Sequence, residues 1–374
     1  MSNLASTRLE IDLNALEQNY NYFKARLDKE TKTIAAVKAN AYGTDAVSVA
    51  KHLETLGIDY LAVVFTREGV ALRKAGVKKP ILVFQAMPQE ISEIVAYNLE
   101  PSLYSENMFQ AFCEYAKNEK LEAYPVHLKF NTGMNRLGMP ISKAKYLGEL
   151  LKENTNIKLN GIYTHFAASD NPEEREFTLE QLSKFNTVTK ELEAILGYMP
   201  MLHATNTMGI INYPEAHFNA VRLGIGLYGY TYEEEINKRL KPVARLYAPI
   251  IQKQYLNPGD SISYSRTYIA KEAMQIGIVP LGHADGINRA YGKGKGWVFL
   301  NGHKVPILGN VCMDMFMIDL TGIDSEEGDL VEVFGENNSG IDLANAIETI
   351  VYELITGITA RVPRIITGNH IKLN

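Results

Sequence analysis

Cysteine is scarce in this chain. Only Cys113 and Cys312 occur among 374 residues, far apart. That excludes a disulfide framework and argues for a reducing compartment, the cytoplasm. Long apolar runs are missing too. None reaches bilayer-spanning length, and the stretch from Met1 to Glu10 has no apolar signal core. No basic block stands out: 38 Lys and Arg face 43 Asp and Glu, a net charge of -5. Nucleic acid and membrane surfaces are therefore poor partners. There is no P-loop and no G-x-G-x-x-G, which disfavours a nucleotide. No His/Cys cluster has zinc-ligand spacing, so no metal is expected. What remains is 46% hydrophobic and 22% charged, as in soluble globular proteins, and long enough for two domains.

Over roughly residues 9–230, short apolar runs alternate with helical patterns. Leu13, Leu16, Tyr20 and Phe23 form one helical face after Asp12. Eight strand candidates follow: Ile34–Val37, Tyr60–Val64, Ile81–Phe84, Glu100–Leu103, Val126–Phe130, Gly161–Thr164, Met201–His203 and Asn219–Arg222. Asp45, Thr66, Pro88, Ser105 and Pro172 mark helix starts between them. This repeat fits an α/β fold with an N-terminal (β/α)8 TIM-type barrel; a doubly wound sheet is the alternative. The pattern changes near Leu240-Lys241-Pro242, which sets domains at 1–238 and 239–374. The second half reads as mostly β. Strands are expected at Ser261–Tyr264, Trp297–Leu300, Lys304–Leu308 and Leu330–Phe334, with an Asn301-Gly302 hairpin turn and one helix over Ile341–Ile355.

In such a barrel, functional side chains stand at the C-terminal strand ends. Lys38, Lys129, His165, His203 and Arg222 all fall there. Each alone is better read as structural. Lys38, for example, could simply close its strand and reach solvent. Together in one cleft they make an active site. A partly desolvated Lys38 becomes a neutral amine, which Schiff-base chemistry needs. The loops after strands 7 and 8 offer Asn206, Thr207 and the Gly224 backbone as neutral donors for a small phosphate. A phosphorylated cofactor beside a Schiff-base lysine suggests pyridoxal phosphate (PLP).

The run Val37-Lys38-Ala39-Asn40-Ala41-Tyr42-Gly43 resembles the PLP-lysine motif of bacterial alanine racemases. The resemblance continues, in order, through Lys129–Gly138, Gly161–Ala167, His203 with Asn206, Val221–Ile225, Ser263-Tyr264, Ala284-Asp285-Gly286, Cys312-Met313-Asp314 and Arg361–Arg364. It implies a PLP-dependent homodimer that interconverts L- and D-alanine for peptidoglycan. Lys38 would carry the cofactor and act as one base, with Tyr264 of the partner subunit as the other. Arg222 would meet the pyridine nitrogen and keep it unprotonated, making a weaker electron sink that suppresses side reactions such as transamination. Tyr42, Tyr352, Asn206, Thr207, Gly224 and Ile225 would hold the phosphate. Arg136 and Met313 would bind the substrate carboxylate, Arg136 also contacting the cofactor. His165 would orient Tyr264. Lysine and tyrosine both titrate near pH 10 when free (about 10 for each), so each must be tuned toward neutrality.

Five positions depart from the family pattern: Ser265 for a glycine, Thr44 and Asp45 for a histidine and a glycine after Gly43, Asn131 for an aspartate, and His283 for a tyrosine. Lys129 matches a lysine carbamylated in some members, and an anion there would offset Arg136. The resemblance also admits a racemase of broader substrate range. A basic amino-acid decarboxylase lacks support because its glycine-rich phosphate loop is absent. A non-enzymatic PLP-binding barrel would lack the second domain.

Overall fold

The computed structural model describes residues 6–368. A first strand, β1 (Arg8–Asp12), leads into the helix Leu13–Lys24, which Asp12 caps by accepting from the Asn14 and Ala15 amides. Leu13, Leu16, Tyr20 and Phe23 are all buried on one face. Eight parallel strands then build the barrel: β2 (Lys32–Ala36), β3 (Tyr60–Val63), β4 (Ile81–Val83), β5 (Glu100–Leu103), β6 (Tyr124–Asn131), β7 (Ile157–Tyr163), β8 (Met201–His203) and β9 (Ala220–Leu223). All eight expected strands are present, and Asp45 and Ser105 cap the helices that follow them.

The barrel is nearly closed. Among the described residues no ladder joins β8 to β9. Single bonds bridge that seam, from the Arg222 amide to the Thr205 carbonyl at 3.2 Å and from the Leu202 amide to Asn219 Oδ1 at 3.0 Å. The interior is divided. Ile34, Tyr60, Ala62, Leu82 and Ala220 form its apolar side. The inward positions of β5–β8 carry Glu100, Ser102, His127, Lys129, Tyr163 and His203 instead.

The second half forms a nine-stranded sheet. Its strands are β10 (Ala244–Pro249), β11 (Gln252–Leu256), β12 (Met274–Val279), β13 (Trp297–Leu300), β14 (His303–Leu308), β15 (Phe316–Asp319), β16 (Leu330–Phe334) and β17 (Arg364–Thr367), together with β1. The spatial order is β11-β12-β15-β14-β13-β16-β10-β1-β17. β1 lies within the residues expected to form the barrel half, yet it pairs in this second sheet. Its alternation gives it away: Leu9 and Ile11 are buried between Glu10 and Asp12, a half-covered sheet pattern. The expected hairpin forms, with Asn301 and Gly302 at φ 49° and 85°.

Two expectations fail in detail. The helix over 341–355 is two helices, Gly340–Ala346 and Val351–Thr356, separated where Glu348 takes φ 58°. The strand at 261–264 stops at Ile262, because Ser263 and Ser265 take φ 68° and 59° and lift Tyr264 into a short turn.

Candidate active site

Beyond β2 the chain reaches Lys38 and then makes an unusual turn. Ala39, Asn40, Ala41 and Tyr42 take φ of 52°, 53°, 51° and 58°. A left-handed conformation costs an L-residue roughly 1–2 kcal/mol, so the surroundings must impose it. Glu68 does much of this. One carboxylate oxygen accepts from the Ala39 amide at 2.7 Å, and the other accepts from Val64 and Phe65 at 2.8 and 3.0 Å. Asn40 donates to the Thr44 carbonyl at 2.9 Å and accepts from the Ala46 amide at 3.0 Å. Gly43 ends the turn at φ 83°. A Cβ there would stand 2.2 Å from the Ile355 carbonyl oxygen. The lysine turn therefore rests directly on the helix that carries Tyr352. The Tyr42 ring stacks on Tyr228 at 4.5 Å and lies 6.0 Å from Tyr352.

A cavity of about 800 Å³ opens above the C-terminal ends of the barrel strands. Lys38, Tyr42, Arg136, His165, Asn206, Thr207, Arg222, Gly224, Ile225 and Tyr352 all line it. Tyr264 and Met313 do not. They line a separate cavity of about 440 Å³ in the second domain, 70% and 57% exposed. Within this chain Lys38 and Tyr264 do not come together. Sequence reasoning also missed several lining residues, among them Tyr163, Asp170 and Tyr232. Tyr163 could have been found, since it lies two residues before His165 on an inward-facing strand.

Four cations converge on the cavity, and among the described residues none has a carboxylate partner within ion-pair distance. Burial lowers the Lys38 pKa, Arg136 lowers it further, and Glu68 partly opposes them. Burial, then Arg136, Arg222 and Lys38, bring Lys129 down to about 8. Both amines are thus pushed toward their neutral, nucleophilic form. Burial brings Arg222 to about 10, still a cation at neutral pH.

Arg222 is held by its terminal nitrogens. Nη1 donates to the His203 carbonyl and Nδ1 at 2.8 and 3.0 Å. Nη2 donates to the Thr164 and Ala204 carbonyls, each at 2.8 Å, and to His165 Nδ1 at 3.1 Å. Its Nε makes no hydrogen bond among the described residues. Because arginine only donates, His165 accepts on Nδ1 and carries its proton on Nε2. Burial, then the charges of Arg222, Arg136, Lys129 and Lys38, hold His165 well below the usual imidazole range, so it is neutral.

The opposite end of the cavity is lined by neutral donors. Thr207 Oγ1 accepts from the Gly224 and Gly226 amides at 3.1 and 3.3 Å. Asn206 caps the helix Thr207–Asn212 through the Gly209 amide at 2.9 Å. Gly224 is required here, since a Cβ would meet the Tyr42 hydroxyl at 2.8 Å. A desolvated amine, an unspent guanidinium N–H and a neutral phosphate cradle fit pyridoxal phosphate.

The departures have local explanations. Asn131 accepts from the Gly133 and Asn135 amides, as a carboxylate would, but its amide also donates to Asn135 Oδ1 at 2.9 Å. Thr44 turns its hydroxyl onto the Ala41 carbonyl at 2.6 Å and closes the lysine turn from within. Ser265 keeps the positive φ that glycine adopts freely. His283 lines a smaller cavity of about 190 Å³, away from Lys38.

Comparison with known proteins gives the family. The family models for the alanine racemase N-terminal and C-terminal domains match residues 11–232 and 243–366. An alanine racemase of Methanococcus maripaludis is 37% identical over 367 residues, which cover 95% of this chain and 97% of the relative. The solved alanine racemase of Clostridium difficile 630 is 32% identical, with a TM-score of 0.90 over 96% of this chain and 95% of that one. The enzyme of a D-cycloserine-producing Streptomyces lavendulae has a TM-score of 0.92 at 28% identity, covering 98% of each chain. With both domain models matched and near-complete relatives above 30% identity, this chain belongs to the alanine racemase family.

Proposed function

We propose that the protein is a PLP-dependent alanine racemase that interconverts L- and D-alanine with two bases and supplies D-alanine for peptidoglycan. The single observation that carries this reading is the Lys38 cavity, with its depressed amine, its guanidinium and its neutral phosphate cradle in one place. Bound PLP supplies the electron sink that makes a substrate Cα–H acidic. Lys38 holds the cofactor and moves a proton on one face of Cα. Tyr264 of a second subunit moves it on the other face; its exposure in the isolated chain supports this sharing. His165, protonated on Nε2, presents a donor to that phenolic oxygen and orients it. Arg222 offers Nε to the ring nitrogen and does not surrender a proton there. Asn206, Thr207, Tyr42, Tyr352 and the Gly224–Ile225 backbone orient the phosphate. Arg136 and the Met313 amide of the second subunit orient the substrate carboxylate.

Lys129 is the place for a carbamate. A buried amine whose pKa is brought down to about 8 is partly unprotonated near neutral pH; that fraction adds to carbon dioxide, releases a proton and leaves an anion beside Arg136. Intact-protein mass should show the added carboxyl group. Among the described residues no helix is long and apolar enough to cross a membrane. Both cysteines are unpaired, which supports a cytoplasmic site of action.

The test is turnover of L-alanine in heavy water with PLP. Deuterated D-alanine is expected from the wild type. It should be lost in Lys38→Ala and reduced at least about a hundredfold in Tyr264→Phe. No turnover by the wild type would remove the reading.

A further inference from the structure

Behind the cavity a row of buried polar side chains crosses the barrel, and none of its three inner members lines the site. His203 is fully buried, and its Nε2 lies 3.3 Å from His127 Nδ1. His127 is also fully buried, and its Nε2 lies 2.8 Å from Glu100 Oε2. Glu100 opens β5, toward the opposite end of the barrel from Lys38, and its side chain is only 9% exposed. Burial pushes its carboxyl pKa up. The hydrogen bond from His127, nearby positive charge, and the bond from Asn160 outweigh that, so it stays ionised.

The two ends dictate the direction of the row. Arg222 can only donate, so His203 must accept on Nδ1 and carry its proton on Nε2. That proton points at His127 Nδ1, which must then accept. The His127 proton is therefore on Nε2, aimed at a carboxylate that can only accept. His203 is held well below the usual imidazole range by burial and by Arg222, and every proton points from Arg222 toward Glu100.

The barrel is shaped around this row. Gly161 pairs with His127 in register, and a Cβ on it would lie 2.2 Å from His127 Nδ1, the accepting atom. Tyr163, two residues on, stacks flat on His203 at 4.7 Å and 6°, fixed by its hydroxyl to Ser102 at 2.7 Å.

We propose that Glu100 and His127 are positioning residues for the racemase reaction: they fix the tautomer of His203, and through it the orientation of Arg222. The proposal rests on the racemase reading for its catalytic consequence, but not for the tautomers themselves. Glutamine at position 100 has nearly the same shape, yet it can donate as well as accept. A donated proton reverses the row and sets a His203 Nδ1–H against Arg222 Nη1, both donors.

The experiment is long-range proton–nitrogen NMR on histidine-labelled protein, without and with PLP, beside alanine kinetics. In the wild type His127 and His203 should both be neutral with the proton on Nε2. In Glu100→Gln, His203 should show protonated Nδ1. Its kcat should fall about tenfold, the factor for one misdirected buried hydrogen bond, with KM for alanine within about twofold. A wild-type His203 protonated on Nδ1 overturns the proposal, and this holds even if Glu100→Gln does not fold. Unchanged tautomers and kcat in a folded Glu100→Gln overturn it equally. A wild type with the expected tautomers but no alanine turnover would instead remove the racemase reading and leave the row standing.

Discussion

Lys129 shows most plainly how one side chain can trade stability for chemistry. It is only 6% exposed, its amine lies 5.7 Å from the Tyr163 ring centre, and its nearest charges are cations. Its pKa falls from the ordinary lysine value to about 8. The folded state therefore binds this proton less well than the unfolded chain does. The penalty is complete below pH 8 and is relieved as pH rises from there toward about 10.4, the unfolded value. Without PLP or carbon dioxide, Lys129→Met should be more stable than the wild type at pH 7 by on the order of 3 kcal/mol. The gap should narrow as pH rises to 10. Urea unfolding at both pH values measures it. A constant gap would mean that packing, not charge, sets the difference. Lys38, Lys129, His203 and Arg222 were legible in the sequence because each is a polar residue ending or nearly ending an apolar run. Glu68 was not. It lies 30 positions from Lys38 and acts through backbone amides, for which a sequence has no mark.

The lysine turn is the element on which the site depends. Four successive left-handed residues would not persist in isolation. Glu68, Asn40 and Thr44 bind the turn from the sides, and the helix Val351–Thr356 supports it beneath. Gly43→Ala places a methyl group against the Ile355 carbonyl and asks alanine to hold φ 83°. It should cost about 3 kcal/mol and weaken PLP binding, because Tyr42 and Tyr352 move apart. An absorbance titration with PLP and urea unfolding would check both effects; unchanged values would mean that the helix simply backs away. The sequence showed a glycine after the lysine motif but not this contact, since Gly43 and Ile355 are joined only by the tertiary fold. The same lack of information merged the two helices at 340–356. Their break at Glu348 has no glycine or proline to announce it.

At the scale of the molecule, the barrel was readable because each strand is a short apolar run between helix signals. The assignment of β1 was not, because a five-residue alternating strand has no local preference for either sheet. Lys38 and Tyr264 occupy different cavities of one chain, so activity should follow the dimer. Dilution to monomer should abolish racemisation while circular dichroism is retained. A fully active monomer would refute the shared site. The position of β1 has a kinetic consequence as well. It lies between β10 and β17, so residues 8–12 pair on one side with residues 244–247 and on the other with residues 364–367. Residues 364–367 must be synthesised before that partnership closes, and such distant pairing slows folding. Until then β1 waits with its edges unpaired, the kind that invites association with other chains. Overproduction at high temperature should send this protein into inclusion bodies, and slower synthesis or a chaperone holding that early edge should recover it.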